Sequence, residues 1–447
     1  MIHRGLGSRG RYRDGGGLAI PMGEHKRMHA PRRAGRASRV VPKDGRPIAC
    51  VLGEVDLVRA LALAGIRSAV VARPSYPARY SRAAEPAFDG WIDPWKQPNA
   101  LVERLLEFGR AQPEPPVFYY DGDADLLLLS RHRDRLREAF RFVVADAELV
   151  ETLVDKARFQ ALAEQLELPV PSARRLSTVD EPPSAVDLCF PVVVKPLTRQ
   201  NERWKPLAEA KAMHVESPAA LSALWPRLAE TVPEVLIQEA VPGPESSIES
   251  YHAYIDASGE IAGEFTGRKL RTYPRRYGYS TAVTITQSEE VAALGREISR
   301  RLDLRGVAKL DLKRGPDGRL HLLEINPRFN LWHHPGAIAG VNLPALVYSD
   351  LVGIPRPAAA RWRPGVTWCS LAHDLQAARS EGISPARWLR WVLACEAKSG
   401  FAWDDPLPLP RAALWRLRRM ARTRLLGASD SGDTAQATSV EPNAPAR

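Results

Sequence analysis

The sequence predicts an α/β protein, and three observations lead to that prediction. Short apolar runs at Ile48–Leu52, Ala69–Ala72 and Pro116–Tyr120 alternate with helical patterns, which is typical of a parallel sheet with helical crossovers. Two further alternating runs flank the turn Gly315–Gly318 and predict an antiparallel hairpin. The 447 residues are enough for two to four packed units rather than one.

The first predicted unit begins with the strand at Ile48–Leu52, which is followed by Gly53. A helix over Val55–Ala64 comes next, and Gly65 ends it. Ligands of such sheets bind beyond the carboxyl ends of the strands. Because Gly53 is the only glycine directly after the first strand, the sequence lacks a dinucleotide-binding glycine pattern at this position.

The net charge of +11 is concentrated at the two ends of the chain. Residues 1–42 contain ten Lys and Arg against two Asp and Glu, and residues 411–447 contain seven Arg against three Asp and Glu. The body between them is nearly neutral, so the charge does not indicate a nucleic-acid partner. Because they have few core-forming residues, residues 1–42 are predicted to be a disordered basic N-terminus and residues 427–447 a disordered tail.

Cysteine spacing and the lengths of the apolar runs indicate the cellular compartment in which the protein is expected. The four cysteines are far apart in the sequence, which argues against a zinc site and a disulfide framework and favours a reducing compartment. No apolar run reaches the roughly 18 residues that a membrane-spanning helix needs. These observations predict a cytoplasmic protein.

The residues with the clearest chemistry lie on the predicted hairpin. Asp311 is near the middle of its first strand, and Glu324 and Asn326 are two residues apart on its second, so those two point to the same face. If Asp311 pairs across from them, two carboxylates and one amide converge, which suits Mg²⁺ or Mn²⁺ shared with phosphate oxygens. Arg328 follows on the same face, where it can stabilise charge on a transferring phosphoryl group.

Asp311 together with Glu324–Arg328 resembles the metal-binding end of the ATP-grasp superfamily. The resemblance implies an ATP-grasp fold, in which two α+β subdomains grip ATP, preceded by a Rossmann-like pre-ATP-grasp domain. We therefore expect this organisation of the chain: a pre-ATP-grasp domain at 43–150, an ATP-grasp domain at 151–355 and a helical C-terminal segment at 356–426.

The same resemblance implies an ATP site whose residues follow one another in the order typical of the family. Lys156 and Lys195 correspond to the two lysines that contact the nucleotide phosphates. Glu239, Ala240 and Val241 correspond to the hinge whose backbone pairs with adenine, and Glu245 corresponds to the carboxylate that holds the ribose hydroxyls. The chain departs from many family members at 197–205, where a glycine-rich phosphate loop is replaced by a loop without glycine. Either side chains such as Thr198 and Arg199 replace the missing backbone contacts, or the loop is longer and more mobile.

Within the superfamily the pattern Phe265–Lys269, followed by Tyr273 and Pro274, is most similar to the predicted carboxylate–amine ligases. This makes Arg268 and Lys269 candidates for binding the γ-phosphate or the substrate carboxylate. The resemblance implies an enzyme that uses ATP and Mg²⁺ to activate a small carboxylate as an acyl phosphate and then joins it to an amine. Homodimers are common among such proteins.

Two other functions stay open on the sequence alone. The fold also occurs with thiol acceptors, with bicarbonate and with hydroxyl groups that are phosphorylated directly. The chain could instead be a non-catalytic nucleotide-binding protein that contacts a membrane through residues 411–426, where apolar residues recur at helical spacing opposite Arg416, Arg419 and Arg422.

Overall fold

The computed structural model of the chain describes residues 45–198, 202–205, 207–208, 210–358 and 361–426. The stretches predicted to be disordered, 1–42 and 427–447, lie outside these residues, and so do residues 199–201 of the glycine-free loop. The described residues form three sheets with helices packed against them.

The first sheet is parallel and has the strand order β3-β2-β1-β4. β1 and β4 are buried along their whole length, as expected of central strands covered by helices on both faces. The carboxyl ends of these two neighbouring strands therefore lie side by side. The strands are β1 (Ala49–Leu52), β2 (Ser68–Val71), β3 (Ala84–Pro86) and β4 (Val117–Tyr120), and the helices are α1 (Val55–Leu63), α2 (Pro98–Arg110), α3 (Asp123–Arg131) and α4 (Arg133–Arg137).

The second sheet is antiparallel, with the strand order β5-β8-β6-β7. Side-chain caps fix the starts of its helices, because Asp146, Asp155 and Ser217 each accept hydrogen bonds from backbone N–H groups of the first helical turn. The elements are α5 (Ala147–Val154), α6 (Lys156–Gln165), β5 (Ala173–Ser177), β6 (Val192–Pro196), β7 (Met213–Val215), α7 (Pro218–Thr231) and β8 (Glu234–Glu239).

The third sheet has seven strands in the order β13-β12-β9-β10-β11-β14-β15. Its neighbours are antiparallel except for the parallel pair of β14 and β15, and the hairpin of β12 and β13 was predicted from the sequence. The elements are β9 (Ile248–Ile255), β10 (Ile261–Tyr273), β11 (Tyr279–Thr286), α8 (Glu289–Arg301), β12 (Gly306–Arg314), β13 (Leu320–Asn326), α9 (His333–Ile338), α10 (Leu343–Val352), β14 (Thr367–Ser370), α11 (Leu371–Ser380), α12 (Pro385–Ala394), β15 (Ala397–Ser399) and α13 (Pro408–Leu426).

The C-terminal segment was predicted to be helical, but it also contains two strands, so the prediction is wrong in this respect. Residues 356–426 contain three helices, but β14 and β15 extend the large sheet beyond β11. Strands of three or four residues are too short to show an alternating pattern in the sequence. The segment is thus part of the sheet that contains the predicted metal ligands.

Phe329 links the parallel sheet to the large antiparallel sheet. Its ring centroid lies 5.0 Å from that of Tyr119 and 5.6 Å from that of Tyr120, and its backbone N–H donates to the Tyr120 carbonyl. Because Arg328 is the preceding residue, this packing brings its guanidinium to the carboxyl end of β4.

Candidate active site

The predicted metal ligands meet on one face of the β12–β13 hairpin. In the strand register Asp311 lies opposite Glu324, and Lys309 lies opposite Asn326. The Asn326 Nδ2 donates to Glu324 Oε1 over 3.2 Å. Asp311 and Asn326 are buried. The cross-strand pairing that the prediction required is therefore present.

Two lysines neutralise the Asp311 carboxylate. The Lys309 Nζ lies 2.7 Å from Asp311 Oδ2, the Lys269 Nζ lies 3.4 Å from the same oxygen, and the Ser250 hydroxyl donates to Oδ1. Burial by itself raises the pKa of Asp311, but the two ammonium groups lower that pKa below its usual value. Asp311 is therefore held as a carboxylate in spite of its burial.

Lys309 and Lys313 belong to the site although they were not predicted as site residues. Both share the face of Asp311, since side chains two residues apart on a strand point the same way. Lys313 is buried, and its Nζ lies 3.9 Å from Glu245 Oε1, which connects the predicted ribose-binding carboxylate to this face. The period of two was visible in the sequence and would have identified both lysines.

The two predicted phosphate lysines meet at the end of β6. The Lys195 Nζ donates to Gln238 Oε1 over 2.6 Å, and burial lowers the Lys195 pKa to about 8 against the opposing attraction of Glu324 and Glu245. The Lys156 backbone N–H and its Nζ both reach the Leu197 carbonyl, over 3.0 and 3.4 Å. Lys195, on β6, and Lys156, at the start of α6, therefore both lie close to where β6 leads into the glycine-free loop.

The predicted hinge follows β8. The Glu239 carboxylate accepts from Cys189 N–H, the Glu239 N–H donates to the Ser172 carbonyl, and the Ala240 N–H donates to the Pro191 carbonyl. Among the described residues, the Val241 N–H makes no backbone–backbone hydrogen bond of this kind. Val241 thus stays the hinge residue predicted to donate to adenine.

Arg328 is fixed between the two sheets. Its Nε donates to Asp123 Oδ1 and its Nη1 to the Asp121 carbonyl, both over 2.6 Å, and its Nη2 reaches Asn326 Oδ1 over 3.3 Å. The guanidinium is thus next to the predicted metal ligands and held by residues some 200 positions earlier in the chain.

A group of acidic side chains lies at the carboxyl ends of β1 and β4. The Asp121 Oδ2 accepts from Glu54 N–H, and Asp125 Oδ2 accepts from Gly122 N–H. Burial and mutual repulsion raise the pKa of Glu54 to about 8, that of Asp125 to about 7 and that of Asp121 to about 6. A ligand at this edge of the sheet was expected in general terms, but these three residues were not predicted individually.

The structure separates Arg268 from Lys269, which the sequence analysis had taken together as catalytic candidates. Lys269 is buried next to Asp311, whereas Arg268 is exposed and lines an open cleft of about 640 Å³ with Glu249 and Arg314. Adjacent residues of a strand point to opposite faces, so both side chains cannot reach the same site. Arg268 and Lys269 therefore do not act on the same face of the strand, and a catalytic role of Arg268 stays a prediction.

The described residues contain no group of three or more His, Cys, Asp and Glu side chains able to hold a metal ion by themselves. The set of Asp311, Glu324 and Asn326 consists of two carboxylates and one amide, all oxygen donors. Such a set suits a hard divalent cation that takes its remaining ligands from phosphate oxygens and water.

Comparison with known proteins agrees with this geometry. Residues 231–372 match the family model described as "ATP-grasp in the biosynthetic pathway with Ter operon", a segment that contains Glu245, Lys269, Asp311, Glu324 and Arg328. The chain is 25% identical over 299 residues to the D-aspartate ligase of Enterococcus faecium, covering 62% of this chain and 68% of the relative. It is also 25% identical over 208 residues to the D-alanine–D-alanine ligase of Stutzerimonas stutzeri, covering 44% and 64%.

A solved structure shares the fold. The biotin carboxylase domain of the Hydrogenobacter thermophilus 2-oxoglutarate carboxylase, a dimer in complex with MgADP and bicarbonate, covers 72% of this chain and 73% of its own, with a TM-score of 0.54 and 13% identity. At this identity the likeness establishes the fold alone. Over residues 231–372 the chain is thus similar to an ATP-grasp family, and the two curated relatives are both ligases.

Proposed function

We propose that the chain is an ADP-forming ligase that joins a small carboxylate to an amine by way of an acyl phosphate. The observation that carries the proposal is the meeting of Asp311, Glu324 and Asn326 on one face of the hairpin, with Lys269 and Lys309 close to Asp311. Phosphoryl transfer depends mainly on positioning and on electrostatic stabilisation. The carboxylates can hold a cation, and the lysines can stabilise the negative charge of the phosphates.

In the first step a carboxylate oxygen of the substrate attacks the γ-phosphorus of ATP. The bond between that phosphorus and the β–γ bridging oxygen breaks, and ADP leaves. Three lysines stabilise the negative charge of the phosphates: Lys156, Lys195 and Lys269. Arg328 stabilises the charge on the phosphoryl group that is transferred. The Val241 N–H is the proposed adenine contact, and Glu245 is the proposed ribose contact.

In the second step the amine attacks the acyl carbon, inorganic phosphate leaves and the nitrogen loses a proton. Asp311, Glu324 and Asn326 would hold Mg²⁺, which neutralises phosphate charge when it is bound. The MgADP in the related biotin carboxylase domain supports this choice of nucleotide and metal. The two ligases among the relatives, named for D-aspartate and D-alanine, favour amino acids as a first set of substrates to test.

Hydroxylamine trapping tests carboxylate activation without knowledge of the natural amine. The chain is incubated with ATP, Mg²⁺ and pooled amino acids or other small carboxylates, and hydroxamate, ADP and phosphate are measured together. We expect one pool to give all three products in equal amounts. If ATP binds but no pool gives hydroxamate above background, the acyl-phosphate proposal is wrong.

A matched pair of variants connects that activity to the site. Glu324→Gln removes a proposed metal ligand, whereas Glu249→Gln removes a carboxylate of β9 that pairs with Arg314 near the open cleft. We expect the first variant to lose turnover and the second to keep it. Equal losses in both variants would contradict the assignment of Glu324.

A further inference from the structure

The solvent-facing side of α13 carries an unusual pattern. Leu414, Leu417 and Met420 follow one another at three-residue spacing and are exposed by 45%, 62% and 53%. We call these three residues the apolar stripe. A helix on the surface of a globular protein normally turns its apolar residues toward the core. In α13 these three apolar residues face the solvent instead.

The opposite side of α13 is the side that is docked. Ala412 is fully buried, and Trp415 and Arg419 are half-buried with the Arg419 guanidinium 5.6 Å from the Trp415 ring centroid. The helix packs against the turn Pro77–Tyr80, and the Arg416 guanidinium donates to the Ser75 carbonyl over 3.2 Å. The apolar stripe therefore points away from the described part of the protein.

Arginines border the apolar stripe on both sides. At 100° per residue, Arg411 and Arg418 lie along one margin and Arg416 along the other. The sequence of the helix, residues 408–426, contains six arginines and no acidic residue. Just before the helix, Trp403 and Leu407 are exposed by 81% and 46%.

We infer that α13 docks the protein on an anionic phospholipid surface. An apolar stripe bordered by arginines inserts its leucine and methionine side chains among the acyl chains, while the guanidinium groups stay at the level of the phosphates. The absence of acidic residues from the helix sequence makes its charge complementary to anionic lipid rather than to a neutral surface. Among the described helices we find no candidate for a membrane span.

Vesicle sedimentation of the full chain, without nucleotide, tests the inference independently of enzyme activity. The vesicles contain phosphatidylcholine alone or mixed with phosphatidylglycerol, at about 0.1 M and about 1 M salt. We expect binding to the anionic vesicles only, with strong weakening at the higher salt. No binding to anionic vesicles at the lower salt overturns the inference.

Three double variants locate the contact. One double variant removes apolar side chains that would insert into the bilayer, Leu417→Ser with Met420→Ser. A second removes positive charge, Arg411→Gln with Arg418→Gln. We expect each double variant to weaken vesicle binding about tenfold or more. The matched control is Leu389→Ser with Leu393→Ser on α12, where two leucines are exposed by 51% and 63%. This control should bind like the parent chain. Thermal unfolding of each variant checks that it is folded.

The remaining outcomes contradict the inference in recognisable ways. If the apolar variant keeps full binding while the arginine variant loses it, α13 binds polyanions such as nucleic acid by charge alone. If the apolar variant lowers the molar mass in light scattering, the stripe is instead an interface with a second copy of the chain. Equal loss in the α12 control would indicate non-specific adhesion of exposed leucines.

Discussion

Two groups of acidic side chains lie on either side of Arg328, which contacts Asn326 beside one and Asp121 in the other, and their pKa values are shifted in opposite directions. On the large antiparallel sheet, Asp311 is buried, yet its pKa is lowered because Lys309 and Lys269 are close to one of its oxygens. At the carboxyl edge of the parallel sheet, Glu54, Asp121 and Asp125 have raised pKa values.

The opposite pKa shifts come from the charges near each group rather than from how deeply the group is buried. Asp311 has two ammonium groups within ion-pair distance, whereas burial and mutual repulsion dominate at the edge formed by Glu54, Asp121 and Asp125. A carboxylate that must bind a cation needs its charge, so the first group suits metal and phosphate chemistry. In the second group ionisation is disfavoured, most strongly at Glu54, whose pKa of about 8 is the highest of the three.

The largest effect is expected at another buried carboxylate, Asp374, which belongs to neither group. It is fully buried and accepts hydrogen bonds from the Arg271 guanidinium, the Thr281 hydroxyl and the Trp388 indole N–H. Asp374→Asn leaves the Arg271 charge unpaired, so we expect the free energy of unfolding to fall by about 3–5 kcal/mol in denaturant titration. Asp317→Asn, in the half-exposed hairpin turn, is the control and should change it little.

Asp311→Asn tests the carboxylate that the lysines keep charged. We expect kcat to fall by about 10²–10³-fold, since the variant loses a proposed metal ligand and leaves Lys269 and Lys309 facing a neutral amide. The measurement is ADP release at saturating Mg²⁺ with the best substrate pool. A variant with parental kcat would show that this group does not act in turnover.

Glu54→Gln tests the group whose charge is disfavoured. A raised pKa in the folded state means that ionisation costs stability above that pKa, and that the cost disappears below the unfolded value of about 4.3. Removing the charge should therefore stabilise the protein by about 1–2 kcal/mol at about pH 9 and change it little at about pH 4. The measurement is denaturant unfolding at both pH values. Glu85→Gln, an exposed partner of Arg67, should stabilise at neither.

Lys195 gives the smallest and most specific prediction. Its pKa of about 8 means that the free protein loses this positive charge as pH rises through that value. The Kd for ATP should then rise about tenfold per pH unit above pH 8, with proton uptake on binding, measured by titration calorimetry in two buffers. In Lys195→Arg the guanidinium stays charged, so the pH dependence should disappear. A parental slope in that variant would assign the titration to another group.

Much of the site followed from local sequence pattern. The strands around Gly315–Gly318 alternate every two residues, so the common face of Glu324 and Asn326 was predictable without a fold. The first parallel strands and the helix over Val55–Leu63 were predictable for the same reason, because apolar periodicity and glycine stops are properties of short segments. The same period would also have placed Arg268 and Lys269 on opposite faces and included Lys309.

The sequence by itself determined which residues share a face of each strand, the order of the nucleotide landmarks and the type of chemistry. Only the tertiary structure decided that Lys269 reaches Asp311, that Arg328 is held by Asp121 and Asp123, and that α13 turns its apolar stripe outward. Those features depend on register between distant strands and on packing between distant segments. Local propensity does not encode these contacts. Because the pKa values of the site depend on them, the charge of the site could not be predicted from the sequence either.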